Sequence, residues 1–461
     1  MHTARLFVVA AVVPGALVPG ALAQCDPAWV PGPGSNALGN GYAEPVCAWD
    51  DGSGEALYVG GSFTSIGGFG YRGIARWNPG TGQWSRPGTG LSFGNTNGFV
   101  TSILPFDTGA GTLLVVGGFF ASAGGQAGTQ SLAAWDGGAW RSLGAGFVAP
   151  EAVWSLEVGD LGDGEKLYLA GGFLQIAGQP CSGVAAWDGG AFTVVGDGLG
   201  MAGFSPFVNE TVIWDDGSGV ALYAVGRFSE IDGVSAPLAA RYRPGVGWER
   251  FGGGLTAQNS TTTLDGACVF DDGDGGAIYI AGSPFRPAGG GSFSSVYKWD
   301  GVAWSVVGQN VGGRVTDLRV WDDGTGPALY LSGTATPDIN YLARLEGGSW
   351  EMYLGGAGGP AIPPGNFPSV FGLAEYRGDL VVCGSFTETG DGQIVEGIAV
   401  VETCLSDCVA DFNGDGVVNT QDFIAYLGAW AAGDPAADTD GNGVIDTRDF
   451  IGYLGLWAAG C

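Results

Sequence analysis

The chain is 461 residues long and carries 46 acidic against 17 basic residues, a formal net charge of −29. A field that acidic repels phosphate backbones and anionic lipid, which argues against nucleic acid and the membrane surface as partners. Glycine accounts for 90 residues and aromatics for 12 % of the chain, a pairing that argues against disorder because aromatic rings bring burial while glycines mark tight turns.

Residues 1–23 combine the basic Arg5, an apolar stretch and an Ala-Leu-Ala sequence ending at Ala23, the pattern of a secretory signal peptide. Gln24 stands where lipidation of Cys25 would ask for a small residue. No other segment is apolar enough to span a membrane. The mature chain is therefore expected to be secreted, extracellular or cell-surface associated. Its eight cysteines (Cys25, Cys47, Cys181, Cys268, Cys383, Cys404, Cys408 and Cys461) all follow the cleavage point, in a compartment where disulfides persist. The sole histidine, His2, lies inside the leader. That removes Ser-His-Asp and Cys-His nucleophile systems and histidine-bearing zinc or copper sites.

A repeat organises the next 380 or so residues. LYVGGSF, starting at residue 57, recurs as LVVGGFF at 114, LYLAGGF at 167, LYAVGRF at 222, IYIAGSPF at 278, LYLSGTA at 329 and LVVCGSF at 380. An alternating apolar segment precedes each copy, often ending in an acidic turn such as CAWDDGSG or VIWDDGSG. A Gly-rich loop, a third strand such as LAAW at 132 and a fourth strand opened by an aromatic follow. Period-two apolar patterns between Gly and Asp turns are hairpin strands, so each unit is expected to be a four-stranded antiparallel sheet. The Gly-Gly after an apolar run, followed by spaced aromatics, resembles the kelch motif over most of residues 29–401. That resemblance implies a mainly β fold, a β-propeller without the copper site of galactose-oxidase-type members. Seven copies predict seven blades over residues 24–404.

The fourth strand, opened by Trp84, Trp140, Phe192, Trp248, Trp304 and Trp350, occurs only six times after the seven inner sets. Trp29 sits in CDPAWVPG as Trp140 sits in GGAWRSLG, so the N-terminal strand is expected to complete the last sheet, with Trp29 opposite Val401. Closure removes free sheet edges. Cys25 and Cys404 flank this junction, and a disulfide between them is expected to replace the missing turn.

The acidic pairs Asp50/Asp51, Asp215/Asp216, Asp271/Asp272 and Asp322/Asp323 recur at one point of the repeat, as turn residues would. No catalytic residue is assigned. The loops expected on the other face carry Phe93, Asn95, Asn97 and Phe99, then Phe204, Phe207 and Asn209, then Gln258 and Asn259, with Glu210 and Arg314 as the charges that stand out. Rings beside amides suit a glycan or peptide ligand.

The last fifty residues contain one calcium-loop pattern twice. DFNGDGVVNTQD offers Asp411, Asn413, Asp415, the Val417 carbonyl, Asn419 and Asp422; DTDGNGVIDTRD offers Asp438, Asp440, Asn442, the Val444 carbonyl, Asp446 and Asp449. Near-duplicate helical runs, FIAYLGAWAAG and FIGYLGLWAAG, follow the loops. Unlike an EF-hand, position 12 is Asp and the residues before the loops, CVA and DPAA, are too short for a helix. Residues 408–461 resemble a dockerin type I domain, and the terminal Gly460-Cys461 resembles the GC-type dockerin anchor. The resemblance implies a domain, residues 405–461, that folds around two calcium ions and docks on a cohesin-like or cell-surface receptor through Thr420, Gln421, Thr447 and Arg448. A disulfide from Cys408 to Cys461 is expected to clasp its ends. The chain as a whole is expected to be a noncatalytic binding or display protein. Its rival is a carboxylate-based, glycoside hydrolase-like enzyme or accessory protein of polysaccharide degradation.

Overall fold

The computed structural model describes residues 27–33, 38–94, 98–144, 146–181, 183–196, 198–200, 205–308, 311, 313–334, 341–358, 369–403, 409–413, 418–439 and 444–459. They divide into a β-rich unit and a small helical one.

Among the described residues the β-rich unit holds seven antiparallel sheets of four or more strands. Their first strands are Ala43–Asp50, Phe99–Asp107, Val153–Asp160, Phe207–Asp215, Leu264–Asp271, Val315–Asp322 and Val370–Tyr376. The second strands carry the apolar line of each repeat and are buried on both faces, as Leu57, Tyr58 and Val59 show at 0 % exposure. Such strands read as continuous apolar runs because each sheet lies between two others. Seven apolar cores result, one between each neighbouring pair. Tyr58 of sheet 1 meets Leu114 and Trp140 of sheet 2, Trp321 of sheet 6 meets Leu380 of sheet 7, and Val381 of sheet 7 meets Leu57 of sheet 1. The first strands neighbour one another in the same cyclic order, seventh against first.

The acidic pairs act as turns and ties. Asp50 Oδ1 accepts the Gly52 and Gly54 N–H groups at 2.7 and 3.0 Å, and Asp215, Asp271 and Asp322 repeat the arrangement. The second carboxylate anchors the third strand: Asp51 accepts Tyr58 Oη at 3.0 Å and pairs with Arg76 Nε at 2.9 Å. Asp323 does the same with Tyr330 and Arg344, Asp272 with Tyr279 and Lys298, and Asp216 pairs with Arg241. Burial works against ionisation of Asp51, yet hydrogen bonds from Ser53 and Tyr58 and the Arg76 charge hold it below the usual carboxylate range.

The seventh sheet is completed by Ala28–Pro31, antiparallel to Ile398–Glu402, with Trp29 opposite Val401. That is the expected register, the same as Trp135 opposite Trp140 in sheet 2. Cys25, Cys404, Cys408 and Cys461 lie outside the described residues.

Outer-strand tryptophans latch neighbouring sheets. Trp140 Nε1 donates to Pro87 O at 3.0 Å. Trp248 reaches Val195 O, Trp304 reaches Gly252 O and Trp350 reaches Val307 O, each at 2.9 Å. Trp29 joins the series from the other end of the chain, donating to Leu354 O at 2.8 Å while only 3 % exposed. Trp29→Ala should therefore lower stability by about 3–5 kcal/mol, the range for emptying a buried aromatic site. A urea melt checks this; a loss under about 1 kcal/mol would show that the terminal strand does not secure the last sheet.

Candidate binding cavity and helical unit

All seven first strands carry a β-bulge at the same place. Pairing skips Glu44 and Pro45 in sheet 1, then Thr101, Trp154, Asn209, Asp265, Thr316 and Phe371 in sheets 2 to 7. The residue before each bulge (Ala43, Val100, Val153, Val208, Leu264, Val315, Val370) is 0 % exposed. Opposite it sits the glycine that marks each repeat: Gly61, Gly118, Gly171, Gly226, Gly282, Gly333 and Gly384. At all seven, an added Cβ would land closer than 3.0 Å to the carbonyl oxygen preceding the bulge. The same carbonyl accepts the next N–H along the second strand, as Tyr42 O does from Ser62 and Arg314 O from Thr334, both at 2.9 Å. A bulge re-aims side chains, and here the skipped residues of all seven first strands line a single cavity of about 460 Å³.

Polar residues at the bulge also clip the first strands of sheets 2, 4 and 6 to those of sheets 3, 5 and 7. Thr101 Oγ1 donates to Val153 O and Thr316 Oγ1 to Val370 O, both at 2.6 Å. Asn209 Nδ2 donates to Leu264 O at 3.0 Å. One residue on, Ser102 accepts from Leu156 N at 3.2 Å and Asp317 from Leu373 N at 2.8 Å.

Half-buried rings form part of the cavity wall. Tyr42 and Phe371 lie 4.8 Å apart, Trp154 and Phe207 6.3 Å apart, and Phe99 stacks on Trp154 at 5.0 Å. Glu44, Glu210, Asp265, Asp317, Arg314 and Arg319 supply the charge. Arg314 grips Asp265 with two bonds of 2.6 and 2.7 Å, and Asn209 adds a third at 2.7 Å. Arg319 is exposed to the cavity and makes no ion pair among the described residues. Glu210 accepts from Ser155 Oγ at 2.7 Å. Burial pushes Glu44 up to about 8, with Asp317 adding to the rise and Arg314 opposing it. Burial also pushes Glu210 to about 8, Glu157 to about 7 and Asp317 to about 6.

Of the loop residues expected to face a ligand, Phe207, Asn209, Glu210 and Arg314 line the cavity and Phe99 backs it. Phe93 is instead core, 8 % exposed among Ile74 and Val100. Asn259 orders its own turn through Thr261. Asn95, Asn97 and Phe204 lie outside the described residues. Glu210 and Arg314 are not the only charges there: Glu44, Asp265, Asp317 and Arg319 join them. The signal for these was a break in alternation, two apolar residues three apart as in VTSI, VWSL and VTDL.

The helical unit consists of α1, Thr420–Ala432, and α2, Thr447–Ala459. A single 3-10 turn, Pro435–Ala437, precedes the second loop. Asn419 caps α1, accepting from Gln421 N at 2.7 Å while its own N–H donates to Asp422 at 2.7 Å. Asp446 and Asp449 repeat this at α2. Each helix holds the other's loop. Trp430 Nε1 donates to Asp446 O at 3.0 Å and Trp457 Nε1 to Asn419 O at 2.7 Å. Tyr426 Oη donates to Ala437 O at 3.3 Å and Tyr453 Oη to Ala410 O at 2.9 Å. The two tyrosine rings stack at 3.8 Å. Of the expected ligands, Asp422 and Asp449 are 0 % exposed and Asp411 8 %, whereas Asn413 and Val444 are exposed and Asp438 is half-buried. Asp415, Val417, Asp440 and Asn442 lie outside the described residues. Thr420, Gln421, Thr447 and Arg448 are exposed on the first turns, Arg448 paired with Asp446 at 2.7 Å. No described helix is long and apolar enough to cross a membrane.

No family model matches the chain. No curated protein matches it either. Among solved structures it is similar to the extracellular domain of a putative hybrid two-component system from B. thetaiotaomicron, at 13 % identity and a TM-score of 0.43. That likeness covers 79 % of this chain but only 39 % of the other. It is similar also to YCF48 from Cyanidioschyzon merolae, at 11 % identity and TM-score 0.43 over 81 % of this chain and 99 % of that one. Likenesses this distant carry no argument about function.

The glycine constraint predicts that Gly226→Ala costs about 2–4 kcal/mol in a denaturant melt, whereas Gly289→Ala, with nothing within 4 Å of an added Cβ, changes little; equal effects would refute it. The cavity carboxyls predict a pH trend. Glu44 and Glu210 titrate near 8 when folded but in the ordinary carboxylate range when unfolded, so between those values the folded chain holds more protons and stability falls as pH rises. The melting temperature should drop from about pH 5 to about pH 9, and Glu44→Gln with Glu210→Gln should flatten that slope.

Proposed function

We propose that the chain is a secreted, noncatalytic binding protein: a kelch-like, seven-bladed β-propeller closed by its N-terminal strand, exported by residues 1–23 and attached through a calcium-dependent, dockerin-like tail. The observation that carries the binding role is the convergence of bulge residues from all seven first strands on one cavity with aromatic walls. Its volume is that of a small-ligand site. The acidic pairs that might have formed a catalytic dyad are engaged in turns and ion pairs away from it. A glycan array on the mature chain, alongside a reducing-sugar assay, tests this. Binding without sugar release is expected.

A second reading, a carboxylate-based glycan-active enzyme, is favoured by one feature: cavity carboxyls that keep their protons near neutral pH, as a general acid must. Released reducing ends, abolished by Glu210→Gln, would establish it.

The tail's donors are all oxygen, which suits calcium, and its buried Asp422 and Asp449 call for positive charge. Asp411, Asn413, Asp415, the Val417 carbonyl, Asn419 and Asp422 would hold one ion, and Asp438, Asp440, Asn442, the Val444 carbonyl, Asp446 and Asp449 the other. Calcium supplies the countercharge that lets these groups converge. Thr420, Gln421, Thr447 and Arg448, exposed on the first turns of the helices, would meet a cohesin-like or cell-surface receptor. The segment 405–461 should gain helical circular dichroism on adding calcium and lose it with chelator; a calcium-independent spectrum overturns this part. Asp411→Ala with Asp438→Ala should abolish the gain and leave the β-rich unit's melting transition in the full chain unchanged.

A further inference from the structure

The cavity's carboxyl groups outnumber its cationic ones. Asp265 and Arg314 satisfy each other through their paired bonds of 2.6 and 2.7 Å, which leaves Glu44, Glu210 and Asp317 facing the single guanidinium of Arg319. These carboxyls come from three different sheets, so no local turn explains their meeting. Burial keeps Glu44 and Glu210 protonated until about pH 8, so the excess becomes negative charge where those protons leave or where an entering cation displaces them.

The walls point the same way. Tyr42, Phe371 and Trp154 line the same cavity as the carboxyls, and the face of a ring attracts a cation most strongly where water is excluded. The wall already holds one such pair, with the Arg227 guanidinium 4.7 Å from the centroid of Phe207. Rings also favour an ammonium carried on carbon over a bare, strongly hydrated metal ion, because they bury its methylene groups.

We infer that the cavity takes a small organic ammonium ligand, a primary amine of diamine or amino-sugar size, held between the Tyr42, Trp154 and Phe371 rings and the Glu44 and Glu210 carboxyls. This rests on the binding role proposed above and names its ligand class. A primary ammonium has three N–H donors, and the two glutamates accept from it as carboxylates once their protons have left. Arg319 works against it.

Calorimetric titration of the full mature chain tests the inference. The probes are putrescine and glucosamine, against their neutral counterparts 1,4-butanediol and N-acetylglucosamine. Both amines should bind and neither neutral partner should. Putrescine alone would assign a linear amine, and glucosamine alone an amino sugar. Glu44→Gln and Glu210→Gln should each weaken amine binding about tenfold, in line with a charged hydrogen bond worth about 1.5 kcal/mol. Arg319→Gln should tighten it several-fold, a gain that misfolding does not produce. Equal binding of amines and neutral partners, or tighter binding of neither amine by Arg319→Gln, overturns the inference. Neutral glycans bound on the array with no amine bound would sink the ligand class and leave the binding role standing; no ligand of either kind would sink both.

Discussion

A glycine packed under a carbonyl oxygen holds each of the seven first strands in its bulged course. With no side chain at Gly61, Gly118, Gly171, Gly226, Gly282, Gly333 or Gly384, the strand opposite can press close enough to skip a pairing step. The skipped residue turns away from its own sheet and toward the centre. The glycines of the repeat are therefore the means by which a strand edge becomes a cavity wall, and the rest of the unit depends on their recurring in register.

Among the described residues neighbouring sheets share no hydrogen-bonded strand ladder, only an isolated bridge between Thr334 and Ser369, so cohesion between them falls mainly to side chains. Apolar cores fill the gaps, tryptophans latch the outer strands, and bulge residues clip the inner ones. The last group does two jobs at once. Asn209, Thr316 and Asp317 line the cavity and also fasten one sheet to the next. Their geometry is thus preset by the fold, as a binding site requires, and acidic residues are held among groups that do not fully neutralise them.

Much of the fold was legible because its signals are local. Alternation and Asp-Gly turns marked the strands, and the missing fourth strand pointed to Trp29, whose partner Val401 followed by counting. The cavity was legible only in part. Phe207, Asn209, Glu210 and Arg314 drew notice as unusual loop residues, yet Glu44, Asp265, Asp317 and Arg319 look like ordinary polar positions of an alternating strand. Two things hid them. A bulge shifts the facing of every later residue by one, so a strict period of two misassigns them. And they meet only once sheets about fifty residues apart in sequence have come together, as Arg314 and Asp265 do across 49 residues. Phe93 erred the other way: an aromatic in a glycine-rich loop reads as exposed, but Gly73 and Gly98 make room for its ring in the core.

The helical unit is built by exchange. α1 ties down both ends of the second loop through Tyr426 and Trp430, and α2 ties down both ends of the first through Tyr453 and Trp457. Within itself each half keeps the cap that joins loop to helix. A duplicated sequence ordinarily suggests that one copy is a smaller working version of two, but here a single loop and helix would be a lock without its key, and the shortest heritable form of this module is the pair.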